Sequence, residues 1–310
     1  MREESREEKL RRYLAKVEYV PTIPTIVNQV LTELENPDAN LNEVVEVLMA
    51  DQVLTLRMIR LVNSAFWGLK HQVQSLKEAI VFMGLREVRN VVLSTWLVNA
   101  FVSKVARFRI EAFWEHSFGC GLVCQLLAKA VGYGQVDRAY LGGLLHDVGE
   151  VILCQNFPEE FAQVVSLVNT QGYTYHAAEE EVMGINHTDF GQWLVEHWRL
   201  EQGLAEAASA HHDLSRAKED PDLAALVHIA DLFCRLKGLG YGHYERLQVY
   251  FLEDPAWRLL TSRHARLAEL DLEKFSFDLE DRVEEVKAAV GTIYNNQPKR
   301  TPLTVESMRY

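Results

Sequence analysis

His146 and Asp147 stand side by side at the end of an apolar run, LGGLLHDVGE, at positions 141–150. An imidazole and a carboxylate buried together are costly unless something satisfies them, and buried charges are normally paired or bound to metal. Neighbouring residues on a helix point about 100° apart, so both reach one ion only if it lies beside the helix and other segments complete the shell. The chain offers such groups: His116 before the pair, then His187, His211, His212 and Asp231 after it. Helical bundles build metal sites in this way, from side chains on facing helices.

Taken singly, each group has a plainer reading. His116 sits in EAFWEHSFGCGLVCQLL, with Phe113, Cys120 and Cys124 along one side, and a core histidine with a backbone partner accounts for it. His187 opens a helix whose apolar stripe is Phe190, Leu194 and Trp198. His211 and His212 follow AEAASA and read equally well as the wet end of that helix. Asp231 differs, because it follows VHIA inside an apolar helix and needs a buried partner. All seven together are harder to attribute to accident.

The elements that would hold these groups are helices throughout. Leu10, Tyr13, Leu14 and Val17 make an amphipathic stripe, broken by Pro21 and Pro24, whose second proline suits a helix first turn. Ile26 to Leu34 form the next, ended at Asn36-Pro37; Asn40 with Glu43, and Ser75 with Glu78, have N-cap and N3 spacing. Val53–Val62 and Leu85–Phe101 are helical by period. Long helices are predicted over 110–131 and 136–145, and shorter ones over 161–168, 176–183, 190–198, 204–210 and 223–236. The pattern weakens from Gly238 to Phe277, where Gly240, Gly242 and Pro255 interrupt it; Leu279, Val283, Val286 and Ile293 suggest one last helix, and the tail from Asn295 has no period. No stretch alternates strictly over strand length. The expected fold is all-α: an N-terminal helical part over 1–105, a metal-site bundle over 106–238, and a C-terminal helical extension and tail over 239–310.

Composition narrows the partners. With 310 residues and a formal net charge of -12, the chain lacks the clustered positive face that a phosphate backbone requires, so no nucleic-acid partner is expected. The start, MREESREEKLRR, is too charged for a signal peptide, and the greasiest run, VVLSTWLVNAFV, falls short of a membrane span. Cys120, Cys124, Cys154 and Cys234 show no paired spacing and suit a reducing, cytoplasmic setting.

The order H…HD…H…HH…D resembles that of the HD phosphohydrolase superfamily. Within it, VPTIPTIVNQVLTELENPDANLNEVVEVLMADQVLTLRMIRLVNSAFWG and SLKEAIVFMGLREVRNVVL resemble the HDOD family of HD-related output domains, over about Val20 to Asp213. The resemblance implies an all-helical regulatory module whose partners are bacterial signalling proteins. Many HDOD proteins have lost the metal residues; this sequence keeps the set. By likeness to the two-metal HD-GYP phosphodiesterases, His116, His146, Asp147 and Asp231 would hold one ion. His187, His211 and His212 would hold a second, with Asp147 shared. One or two divalent transition-metal ions are expected, iron or manganese before zinc. The alternative function is metal-dependent hydrolysis of a nucleotide or other small phosphoester, with Lys70, His71 or Arg109 to hold phosphate. Two departures weigh against cyclic di-GMP: Glu150 replaces the lysine of the HDIGK motif, where an acid would repel an anion, and Asp213-Leu214-Ser215 follows the paired histidines with no GYP-like motif.

Overall fold

The computed structural model describes residues 4–36, 39–69, 71–101, 108–240 and 250–294. Lys70, Gly242 and the tail from Asn295 lie outside them. Among the described residues there are helices and no strand, as the period-3.6 patterning predicts.

An N-terminal layer comprises α1 (Arg6–Leu14), α2 (Thr25–Glu35), α3 (Leu41–Met49), α4 (Gln52–Val62), α5 (Leu76–Met83) and α6 (Leu85–Ala100). Pro24 caps α2 rather than opening it. Ser75 accepts from the Glu78 amide, but Glu78 accepts from Gln74 rather than closing the box on Ser75. α2 to α6 pack on one another, whereas α1 docks away from them: Arg6 bridges Asp189 and Glu180, and Tyr13 meets Phe157 and Phe190 edge-on.

The central bundle follows, with α7 (Ile110–Val131), α8 (Val136–Leu145), α9 (Val148–Asn156), α10 (Pro158–Gln171), α11 (Tyr175–Met183), α12 (His187–His197), α13 (Gln202–Ala210) and α14 (Pro221–Leu236). α15 (Pro255–Arg263) and α16 (Leu272–Tyr294) complete the chain, and α16 packs on α7, α4 and α6. α7 is buried on nearly every side, which is why its apolar residues show no single stripe. One hydrophobic core runs from Tyr13 to Val290. Among the described residues no helix is long and apolar enough to cross a membrane.

Two glycines set how closely the bundle helices approach the His-Asp pair. A Cβ on Gly143 would lie 2.5 Å from the Cys120 backbone, so α8 presses directly on α7. A Cβ on Gly149 would lie 1.9 Å from the His187 carbonyl oxygen and 2.6 Å from the Gly191 nitrogen, so α9 presses on α12. Any larger residue at either position must push the two backbones apart.

Candidate metal centre

The His-Asp pair does not end one helix, as the sequence suggests; it forms the break between two. His146 closes α8 and Asp147, with φ -101° and ψ 9°, leads into α9. An aspartate before a helix ordinarily accepts from a first-turn amide, worth about 1 kcal/mol. Asp147 makes no such bond. Its oxygens are turned instead to imidazoles: Oδ2 lies 3.1 Å from His146 Nε2 and 3.6 Å from His116 Nε2, while Oδ1 lies 3.4 Å from His187 Nε2 and 3.3 Å from His211 Nε2. One carboxylate thus stands between two pairs of rings carried by α7, the α8–α9 break, the start of α12 and the end of α13.

The opposite ring nitrogens are each held. His146 Nδ1 donates to Gly143 O at 2.8 Å, His116 Nδ1 to Leu239 O at 2.8 Å and His211 Nδ1 to Ala208 O at 3.0 Å. His187 Nδ1 donates to Glu179 Oε2 at 2.7 Å, and the same oxygen accepts from the His187 amide at 2.8 Å. A carbonyl or carboxylate oxygen only accepts, so each Nδ1 carries a proton, and each ring turns its Nε2 to the centre, with a lone pair there whenever the ring is neutral. The consequence is a crowd of acceptors. His116 Nε2 and His146 Nε2 are 3.3 Å apart, His187 Nε2 and His211 Nε2 3.4 Å, and Asp231 Oδ1 is 3.2 Å from His116 Nε2. Such an arrangement repels itself unless positive charge stands within it.

Protons serve that need unevenly. Burial lowers the His187 imidazole, but Glu179 and Asp147 outweigh it and raise it to about 9. His211, buried and facing other imidazoles, drops to about 4. Neutral imidazoles with carboxylates are instead the donor set that divalent transition metals take. Holding each ring by its second nitrogen fixes the tautomer and orientation that ligation requires.

The seven residues singled out in the sequence are all brought together. Ligand atoms of His116, His146 and Asp231, with Cys120, lie within 4.8 Å of one another, as do those of Asp147, His187, His211 and His212. His212 is the partly exposed member, its ring tilted against that of His211 and edge-on to that of His176. Sequence reasoning missed Cys120, Glu179 and the Leu239 carbonyl. Cys120 carried a signal, since it sits one turn after His116 on the same face of α7.

Glu150 requires a correction. It is fully buried and faces Glu179 and His187 rather than an approaching anion. Burial, and then the Glu179 charge, push its carboxyl well above the usual carboxylate range, so it stays protonated beside Glu179. Glu179 stays ionised because His187 more than offsets its burial. The repulsion of substrate expected from an acid at 150 therefore does not arise. Of the proposed phosphate holders, His71 is exposed between α4 and α5. Arg109 is exposed just before α7, about 10 Å along the helix axis from His116. A cavity of about 550 Å³ lies apart from the centre, lined by Thr22, Asn28, Arg89 and Arg199 among others.

An all-helical fold with a His-Asp pair at a helix break, ringed by imidazoles from facing helices, defines the HD-type class. Within that class the chain belongs to the HDOD domain family, whose model matches residues 20–214. It is similar to an HDOD domain protein of unknown function from Geobacter sulfurreducens, at 28% identity and a TM-score of 0.79, covering 92% of this chain and 97% of that one. A Shewanella amazonensis SB2B protein, provisionally named a phosphohydrolase, shares the fold at 24% identity and a TM-score of 0.70, over 91% of this chain and 97% of that one. A Treponema pallidum (strain Nichols) protein described as uncharacterized is 25% identical over 206 residues; the match spans 66% of this chain and 40% of the relative.

Proposed function

We propose that this chain is a bacterial signalling module that holds one or two divalent transition-metal ions in its HD-type centre and acts through contacts with partner proteins. His116, His146, Asp147 and Asp231 would hold one ion and His187, His211 and His212 the other, with Asp147 shared. A divalent ion at such a centre supplies Lewis-acid neutralisation of charge on a phosphoester oxygen. The chain's own contribution is to fix the rings through Gly143, Leu239, Ala208 and Glu179 and to keep water out.

The observation that carries the regulatory reading is a donor set nearly sealed at six of its seven members, His212 alone being partly exposed. His146 and His211 are 0% exposed, His116 and His187 2%, Asp231 4% and Asp147 6%. Phosphodiester turnover needs cations preorganised about the developing charge. The arginines flanking this centre already have partners: Arg235 pairs with Asp231, itself a member of the donor set, and Arg216 with Thr188 and Asp189. A second reading, a phosphohydrolase acting on a nucleotide or other small phosphoester, is favoured by the carboxylate shared between two donor groups, an arrangement that suits a pair of ions.

The test is elemental analysis of protein purified without a histidine tag, followed by assay of the loaded protein on cyclic dinucleotides and a generic phosphodiester. About one to two metals per chain are expected, with no chelator-sensitive hydrolysis. Protein that arrives empty and refuses iron, manganese and zinc would sink the metal assignment. Chelator-sensitive turnover would replace the regulatory reading with the enzymatic one.

A further inference from the structure

The four cysteines are all buried thiols, but they do not face alike. Cys154 Sγ donates to Val151 O at 3.4 Å and Cys124 Sγ to Leu226 O at 3.6 Å, the ordinary resting place of a buried S–H. Cys120 Sγ lies beside the Cys234 thiol and also faces the His116 ring, 3.5 Å from Nε2 and 3.9 Å from Nδ1. That Nδ1 already donates to Leu239 O. The sulfur is therefore set beside the very nitrogen that points into the centre, on the side shared with His146 and Asp231.

We propose that Cys120 is a thiolate ligand of the ion held by His116, His146, Asp147 and Asp231, a fifth donor that makes that position a mixed nitrogen, oxygen and sulfur site. The inference rests on the metal-holding reading above and adds a ligand to it. Spacing is the main argument. Bonds of about 2.0–2.1 Å to nitrogen and oxygen and about 2.3 Å to sulfur, at the roughly 90–120° angles of a five-coordinate shell, require edges of about 2.9–3.6 Å between nitrogen and oxygen donors and of about 3.1–3.8 Å from nitrogen to sulfur. From His116 Nε2 the distances are 3.3 Å to His146 Nε2, 3.2 Å to Asp231 Oδ1 and 3.5 Å to Cys120 Sγ. The three edges that meet at this nitrogen are thus already close to those of a metal polyhedron.

Gly143 reinforces the placement. Its missing Cβ lets α8 rest on the Cys120 backbone, which brings His146 and Cys120 into one group. On binding, the S–H bond breaks, the proton passes to solvent and the thiolate pair goes to the metal; no electron changes hands. A soft thiolate favours zinc or iron over manganese at this position, while the position made by Asp147, His187, His211 and His212 keeps only nitrogen and oxygen donors. The two positions should then differ in metal preference.

The experiment loads the full chain with cobalt(II) and reads the near-ultraviolet thiolate-to-cobalt charge-transfer band. Wild type and Cys124→Ser should show the band, and Cys120→Ser should lose it while still binding cobalt at the second position. Zinc affinity of the first position should fall by at least about tenfold in Cys120→Ser, with manganese much less affected. X-ray absorption of zinc-loaded wild type needs no variant and should contain a metal–sulfur distance near 2.3 Å. Cobalt bound by wild type without the band, a band surviving Cys120→Ser, or an absorption spectrum fitted without sulfur would overturn the thiolate ligand and leave the metal-holding reading standing. A wild type that takes up no metal would overturn both.

Discussion

Replacing Asp147 with alanine should empty the centre more completely than any single histidine change. The reason is positional: Oδ2 serves the His116–His146 side and Oδ1 the His187–His211 side, at 3.1–3.6 Å in every case. Each histidine reaches one side only. Removing one partner from a buried charge contact costs about 3–5 kcal/mol. At about 1.4 kcal/mol per decade, this weakens each ion's affinity by about 100- to 4000-fold. His116→Ala and His211→Ala should suffer comparable losses, but at one position each. The assay is metal stoichiometry by elemental analysis after dialysis of matched samples against the same dilute metal, with circular dichroism to establish that each variant is folded. Near-zero metal is expected for Asp147→Ala, and about half the wild-type content for each histidine variant. Retention by Asp147→Ala equal to wild type would refute the shared-carboxylate reasoning.

Three further outcomes follow from the same contacts. Gly149→Ala places a methyl 1.9 Å from the His187 carbonyl oxygen, so α9 and α12 must part; thermal unfolding should show a loss of about 1–3 kcal/mol or more, accompanied by loss of metal at the Asp147–His187 side. Glu150→Gln keeps the shape and neutral state of a protonated carboxyl beside Glu179, so its stability should stay within about 1 kcal/mol of wild type; a large destabilisation would mean that Glu150 is ionised. His228 donates to Asp254 at 3.0 Å, and although burial lowers its imidazole, Asp254 raises it above the ordinary value. A raised folded-state value gives stability that is fully present below about pH 6.5 and lost as the pH climbs through the folded-state value. Denaturant titrations of wild type and His228→Gln should therefore differ most in slightly acid solution and converge in alkali; a constant difference would count against the pair.

The all-helical fold was legible because each helix writes its buried face into the spacing of its apolar residues. α7 and α8 end where the pattern says, at Val131 and Leu145. α9 was not legible: VGEVILCQN is apolar without a stripe, since Val148, Val151, Ile152, Leu153 and Cys154 are all buried, and it begins at the pair that reads as a helix end. α16 starts at Leu272, well before the stripe from Leu279 becomes visible, because its first turns are only partly covered. The centre divides in the same way. Residue types and order marked the seven imidazoles and carboxylates, but not the direction in which any side chain points. The Glu150 expectation failed for that reason, since a motif gives the residue and leaves its direction to the packing of α9 against α11 and α12. The feature that most determines the chemistry is the least visible. Three of the four ring orientations around Asp147 are set by the carbonyls of Gly143, Ala208 and Leu239. Every residue has a carbonyl, so no choice of side chain at 143, 208 or 239 announces that role. Only folding shows that these carbonyls, with Glu179 behind His187, turn four Nε2 atoms inward on Asp147, and that inward turn is what makes the cluster a candidate cation site.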